Sequence, residues 1–148
     1  MYYIFDLDGT LANLKHRYHF IEGENKDWDA FYDACDKDTP IKETINLLIN
    51  LYYADNNIIV LSGRSDAVKE KTMKWLKDNL NDDILFALYM RKAGDHRPDV
   101  EVKQEWLDEW LKHHKKEEIS GVFEDRKQVV DMWRSNKIIC YQVAEGNY

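Results

Sequence analysis

Apolar and amphipathic runs alternate along this chain. "YYIFDL" from Tyr2 reads as a buried strand. "PIKETINLLINLYYA" predicts a helix: Pro40 suits its first position, and Ile41, Ile45, Leu48, Ile49 and Tyr52 recur at helical spacing. "NIIVLS" predicts a second strand. "SDAVKEKTMKWLKDNL" predicts a helix with Ser65 or Asp66 as N-cap and Val68, Met73, Trp75, Leu76 and Leu80 facing inward. "ILFALYM" predicts a third strand. "DVEVKQEWLDEWLKHH" predicts a helix with Val102, Trp106, Leu107, Trp110 and Leu111 on one stripe. "ISGVFE", "KQVVDMWRSN" and "KIICYQV" predict a fourth strand, a short helix and a fifth strand.

Strands separated by helices imply βαβ units. The expected fold class is α/β, a doubly wound, Rossmann-like parallel sheet of five strands covered on both faces. Residues 13–39 break the rhythm. They are too many for a simple loop, they are rich in aromatics (Tyr18, Phe20, Trp28, Phe31, Tyr32), and they follow the first strand directly. They are expected to form a small cap on a single domain spanning 1–148.

Composition narrows the class of function. A chain of 148 residues suffices for one domain with a real core. Cys35 and Cys140 are far apart and form neither a disulfide framework nor a metal knuckle, which fits a reducing compartment. "MYYIFDLD" lacks the basic region and apolar length of a signal peptide, and no stretch reaches transmembrane length, so a cytoplasmic protein without a membrane partner is expected. Net charge is −7. From Glu22 to Asp38 there are seven acids against Lys26 and Lys37, a local −5. Affinity for long polyanions comes largely from Lys and Arg, so an extended nucleic-acid groove is not expected.

In open α/β sheets ligands bind beyond the carboxyl ends of the strands. The expected strand ends carry Asp6 and Asp8, then Ser62, Gly63 and Arg64, then "MRKAGDHRPD", then Glu124, Asp125 and Arg126. Acids, a hydroxyl, glycines and cations at one rim have the composition of a metal-assisted phosphate site. Strand alternation would turn Asp6 and Asp8 to one side. Two carboxylates that close need a cation or a shared proton, and Mg²⁺ takes hard oxygen ligands while keeping substrate phosphate in its shell. Asp125 would supply another ligand, and Gly9 lets the backbone turn tightly. Each piece has an ordinary reading: Asp8-Gly9 as a turn, Glu124-Asp125 as an N-terminal acid cluster, Lys103 as a solvated helix residue. An EF-hand fails, because Gly9 is fourth in the loop and Arg17 twelfth. The combination, in this order on successive strand ends, argues for a site.

"DLDGT", "LSGR", Lys103 and Glu124-Asp125 resemble the motifs of the haloacid dehalogenase superfamily of phosphotransferases. Longer strings resemble one branch, the 3′-phosphatase domain of phage-type polynucleotide kinase-phosphatases: "GTLANLKHR", "VLSGRSD", "MRKAGDHRPDVEVK", "EDRKQVVDMWR" and the tail "CYQVAEGNY". The resemblance covers essentially the whole chain. It implies a Mg²⁺-dependent phosphomonoesterase that removes 3′-phosphates from nucleotides or nucleic-acid ends. Asp6 would be the nucleophile and form an aspartyl phosphate. Asp8 would be general acid, then base. Mg²⁺ would be held by Asp6, the Asp8 carbonyl and Asp125. Ser62, with nearby backbone N–H groups including that of Gly63, would hold phosphoryl oxygens, and Thr10 belongs to the same phosphate-binding set. Lys103 would neutralise charge on the phosphoryl group and on Asp6. Arg17 and Arg64 would bind substrate phosphate or form ion pairs in the site, and Asp99 would orient Lys103 from one helical turn away. One residue departs from the branch, which usually has Asp where Glu124 stands; Glu124 would act on the metal through a bound water.

The phosphate-cradling loop G-x-x-x-x-G-K-[ST] does not occur in this chain, so the kinase half of such an enzyme is not expected here. Two other functions fit the same residues: a small-molecule phosphatase such as a nucleoside monophosphatase, and a non-catalytic phosphate-binding accessory protein. Among the remaining residues, His113 and His114 read as a solvated helix end, and Trp106, Trp110 and Trp133 as core. Trp28, Phe31 and Tyr32 read as the anchor of the insertion rather than as a base-stacking surface, and His96 and Arg97 as equally apt for a loop or for substrate contact.

Overall fold

The computed structural model describes residues 1–146. Asn147 and Tyr148, the end of the "CYQVAEGNY" string, lie outside the described residues. Five parallel strands form the main sheet: β1 (Tyr2–Phe5), β4 (Asn57–Ser65), β5 (Phe86–Arg91), β6 (Ile119–Arg126) and β7 (Cys140–Gly146), in the order β5-β4-β1-β6-β7. β1 sits in the middle, so the carboxyl end of the first strand opens at the centre of one sheet edge.

The strand sequences show why the sheet is buried on both sides. Phe5, Ile58, Val60, Leu88 and Phe123 pack on one face against Ile45 and Leu48 of α2 (Lys42–Tyr53) and Trp75 and Leu76 of α3 (Lys69–Asn79). Ile4, Ile59, Leu61, Val122 and Cys140 pack on the other, against Leu107 of α4 (Asp99–Trp110) and Val129, Val130 and Trp133 of α5 (Lys127–Ser135). Neighbours such as Ile4 and Phe5 serve opposite cores, the period of two that a doubly covered strand requires.

Several boundaries differ from the expected ones. Pro40 is not helical. It belongs to β3 (Thr39–Pro40), which pairs antiparallel with β2 (Ala12–Asn13), and Ile41 precedes α2. The proline fits there because its missing N–H costs nothing on a two-residue edge. β1 also ends earlier, at Phe5; only the Asp6 N–H continues the ladder, to the Phe123 carbonyl at 2.9 Å. Gly9 then turns the chain at φ 85°, a conformation glycine adopts without Cβ strain.

The β2–β3 pair closes the base of the long insertion. Within it, a 3-10 turn (Lys15–Phe20), α1 (Trp28–Asp33) and a second 3-10 turn (Ala34–Lys37) enclose a small cluster of Leu14, Ile21 and Phe31. Asp27 caps α1, its side chain accepting from the Ala30 N–H at 3.0 Å.

Candidate active site

Two bulges shape the carboxyl edge of the sheet. In the β4–β5 ladder the register jumps from Ser62↔Met90 to Ser65↔Arg91, which leaves Gly63 and Arg64 unpaired there. In the β6–β7 ladder it jumps from Glu124↔Gln142 to Arg126↔Gly146 around Asp125. Bulges re-aim side chains at the ends of strands, and both lie where the sequence places its charged motifs.

The first group of residues surrounds Asp6. Its Oδ1 accepts from Lys103 Nζ at 2.7 Å and its Oδ2 from Thr10 Oγ1 at 3.2 Å. Lys103 Nζ also donates to Glu124 Oε2 at 2.7 Å and lies 3.3 Å from Asp99 Oδ2. Glu124 Oε1 accepts from the N–H groups of Asp125 and Arg126 at 3.1 and 3.2 Å. Carboxylate oxygens of Asp6, Glu124 and Asp125 lie within 4.8 Å of one another, and all three residues are buried. Gly146 makes room for this cluster: a Cβ there would stand 2.4 Å from Asp125 Oδ2.

The second group surrounds Asp8. Arg64 Nη2 and Arg17 Nη2 donate to Asp8 Oδ1 at 2.6 and 2.7 Å, and Arg64 Nε adds contacts to both Asp8 oxygens at 3.0 and 3.1 Å. The same arginines meet Asp38. Arg17 donates to both its oxygens at 2.8 and 2.7 Å, and Arg64 Nη2 to Oδ2 at 2.8 Å. The Arg17 guanidinium also lies 4.3 Å from the centre of the Phe31 ring. Arg17, Arg64 and Asp38 are buried.

Above both groups opens a cleft of about 460 Å³. It is lined by Asp6 and Asp8, by Trp28, Phe31 and Tyr32 of α1, by the segment from Arg91 to Asp99, and by Arg126. Asp99 is packed so closely on Gly63 that a Cβ there would stand 2.3 Å from Asp99 Oδ1.

The model of the polynucleotide kinase PNKP phosphatase domain family matches residues 1–148. The chain belongs to this family. Like other members it is a phosphatase, with a haloacid dehalogenase-type fold. A chain in the structure of the Pnkp1/Rnl/Hen1 RNA repair complex superposes with a TM-score of 0.80 at 30% identity, covering 99% of this chain and 43% of that one. A putative bifunctional polynucleotide kinase/RNA ligase of Autographa californica nuclear polyhedrosis virus is 27% identical over 90% of this chain, which spans only 18% of that protein. A putative phosphatase from Clostridium difficile, 16% identical, shares the fold with a TM-score of 0.67 over 97% of this chain and 86% of that one.

The expected site residues converge on one sheet edge, and Asp6 and Asp8 share the cleft with different side-chain partners. Because β1 ends at Phe5, Asp8 leaves the strand's alternation and is neutralised by Arg17 and Arg64, while the metal-like cluster is Asp6, Glu124 and Asp125. Ser62 is buried, its Oγ accepting from the Arg64 N–H at 3.1 Å. Asp38 was not singled out in the sequence. Nothing in "CDKDTP" separates it from the six other acids of its segment, and its burial against two arginines exists only in three dimensions. Trp28, Phe31 and Tyr32 divide rather than anchor together: Phe31 is buried, whereas Trp28 is 44% exposed. Trp133 is buried as expected, and His114 stacks on Trp110 with ring centroids 4.0 Å apart. His96 and Arg97 both line the cleft, and Arg97 is held by Asp95 at 2.8 Å. No helix among the described residues is long and apolar enough to cross a membrane.

The two groups push their carboxyls in opposite directions. Burial raises the Asp6 carboxyl well above the ordinary carboxylate range, Glu124 adds to it, and Lys103 opposes. Burial would raise Asp8 as well, but the Arg64 and Arg17 charges outweigh it and hold Asp8 below that range. Burial disfavours charge on Lys103, yet Asp6, Asp99 and Glu124 overcome it and keep the ammonium protonated.

Proposed function

We propose that this phosphatase hydrolyses 3′-phosphomonoesters on nucleotides or nucleic-acid ends, through an aspartyl phosphate on Asp6. The observation that carries the reading is two carboxylates in one cleft with different partners: Asp6 on Lys103 beside Glu124 and Asp125, and Asp8 on Arg17 and Arg64. Paired carboxylates in different environments divide nucleophile and proton-transfer roles. The 3′ preference rests on the family and on the relatives' kinase and repair names, as does the choice of nucleic acid over a small molecule.

Asp6 must be ionised to attack phosphorus. Its burial beside other acids opposes that, and Lys103, one ammonium shared among Asp6, Glu124 and Asp99, compensates only in part. The three converging carboxylates are hard oxygen donors that fit Mg²⁺. Asp6, Asp125 and Glu124 would hold it, with the Asp8 carbonyl. When bound, the ion supplies positive charge that lowers the cost of an ionised Asp6 beside an anionic phosphate. Glu124, already fixed by Lys103 and two backbone N–H groups, acts on the ion directly or through water.

Attack by Asp6 Oδ forms the acyl-phosphate bond and breaks the bond from phosphorus to the leaving oxygen. Asp8 lies across the same cleft and gives that oxygen its proton. At rest Asp8 is ionised by its two arginines; the anionic phosphate entering beside it raises its proton affinity, and Asp8 takes up a proton from solvent or from the phosphate monoanion before it donates. Asp8 then takes a proton from the water that cleaves the acyl phosphate. Lys103 balances charge on Asp6, Asp99 holds Lys103, and Gly63 keeps Asp99 close enough to do so. Arg17 and Arg64, both buried and engaged with Asp8 and Asp38 as well as the Phe31 carbonyl and Thr72, serve to position Asp8. This is the ion-pair role rather than the phosphate-binding one.

The test is phosphate release from 3′-phosphorylated oligonucleotides, with free 3′- and 5′-mononucleotides alongside. Release from the oligonucleotide that requires Mg²⁺ and ends with Asp6→Asn supports the reading. Strong preference for 5′-mononucleotides refutes the substrate assignment, and undiminished turnover in excess chelator refutes the metal.

A further inference from the structure

We propose that Trp28 is the stacking surface for the nucleobase of the nucleotide whose phosphate reaches Asp6, an inference that rests on the phosphatase reading above. The insertion has an anchor without Trp28: Leu14, Ile21 and Phe31 fill its small core. Trp28 adds only an edge contact, its ring centroid 5.6 Å from that of Phe31 at 87°, and leaves 44% of its surface open. Trp28 lines the same cleft as Asp6 and Asp8.

The ring is nonetheless held in place. It stands at the start of α1, which Asp27 caps. Tyr32 lies beside it at 6.1 Å and 31°, and Phe31 beneath it rests against Arg17, the residue that grips Asp8. The platform and the reacting carboxylates are therefore tied through one chain of contacts, Trp28–Phe31–Arg17–Asp8. Lys26 Nζ sits 5.9 Å from the Trp28 ring centre, at the outer limit of a cation–π contact and loose enough to yield.

Size and charge both favour a base there. A cleft of about 460 Å³ is in the range that takes a whole nucleotide-sized ligand, well beyond a bare phosphate. The segment carrying Trp28 is locally −5 between Glu22 and Asp38, so it cannot hold a polyanion by charge. An uncharged stacking contact is the attraction it can offer, and it tolerates any base because every base has a π-face. Other residues that line the cleft, Arg91 and Lys92 among them, supply positive charge for the phosphate.

The experiment compares two fluorescein-labelled dinucleotide 3′-phosphates, one complete and one abasic at its 3′ residue. Binding to wild type, Trp28→Ala and Trp28→Phe is read by anisotropy in excess chelator, with thermal melts to confirm folding. Wild type should prefer the complete ligand by roughly five- to a hundred-fold, the range of one base–aromatic stack. Trp28→Ala should bring that ratio close to one, Trp28→Phe should keep most of it, and the four bases should differ little. Equal affinity of wild type for the two ligands, or an unchanged ratio in Trp28→Ala, overturns the inference. A wild type that shows the ratio but frees no phosphate when Mg²⁺ is restored upholds stacking and overturns the 3′-phosphomonoester assignment instead.

Discussion

Two clusters of buried charge stand side by side at the end of β1, and they are balanced differently. Around Asp8, two guanidiniums meet two carboxylates, Asp8 and Asp38, with His16 also on Asp38 at 2.6 Å and the remaining guanidinium donors on the Phe31 carbonyl and Thr72. Around Asp6, three carboxylates converge and a single ammonium is divided among Asp6, Glu124 and Asp99. Ion clusters of the first kind fix geometry, since removing one member leaves the others buried without a partner. Clusters of the second kind hold negative charge that invites another cation. One strand end thus supplies an acid fixed between two guanidiniums and a carboxylate cluster with room for a metal, and the difference lies in which cations the fold sends to each.

The largest effect that separates the clusters is on turnover. Asp6→Asn should lower phosphate release by roughly 10⁴-fold or more, the scale on which removal of a nucleophile acts. Its metal-free stability should not fall at neutral pH, because a costly buried charge has been removed. Asp38→Asn should do the reverse in stability. It leaves Arg17 and Arg64 with half their counter-charge and should cost about 3–5 kcal/mol in denaturant melts, with activity lost through misplacement of Asp8. A stable Asp38→Asn protein with full activity would break the comparison.

Metal provides the next distinction. Mg²⁺ at about 100 times its Kd should stabilise wild type by roughly 2.7 kcal/mol. Asp125→Asn should abolish that gain. A thermal shift that survives in Asp125→Asn would place the cation elsewhere.

The pH dependence of stability in chelator should carry opposite signs for the two acids. Asp8 has a lowered carboxyl. Its contribution is complete above the ordinary value of about 3.9 and is lost as pH falls through its own lower value. Asp8→Asn should therefore destabilise near pH 7 and matter less as the solution becomes strongly acid. Asp6 has a raised carboxyl, so its penalty sets in as pH rises from about 3.9 through its own higher value. Asp6→Asn should give its relative stabilisation at neutral pH and none in strong acid. Urea titrations across pH decide it, and parallel curves for the two variants would refute the contrast. The smallest effect belongs to Glu124→Asp. The carboxylate stays but recedes by a methylene from Lys103 and its backbone donors, and kcat should fall by no more than about tenfold, the cost of one charge-assisted hydrogen bond weakened rather than removed.

Much of this molecule was legible in the chain. Apolar runs set five strands, helical spacing set the helices between them, and βαβ alternation put "DLDGT", "LSGR" and "ED" on one sheet edge. What escaped the sequence depended on short irregular stretches. Pro40 reads as a helix start until Ala12 and Asn13 pair with its neighbourhood. Asp8 shares Asp6's cleft as the alternation suggests, but its pairing with Arg17 and Arg64 appears only once the chain has left β1 at Phe5. Gly63 and Arg64 are released by a bulge that no periodicity announces.

By itself, the sequence determined the strands, the helices and the motif residues at the sheet edge, though not Asp38, because hydrophobic periodicity and the alternation of strand and helix are local and repeat along the chain. The tertiary structure alone decided which acid meets which cation. Arg17 and Asp38 come from the two ends of the insertion, Arg64 from β4, Lys103 from α4 and Asp125 from β6. Electrostatic interaction depends on distance and burial across those segments, not on spacing in the chain. Asp6 and Asp8, one residue apart, therefore came to have opposite proton affinities.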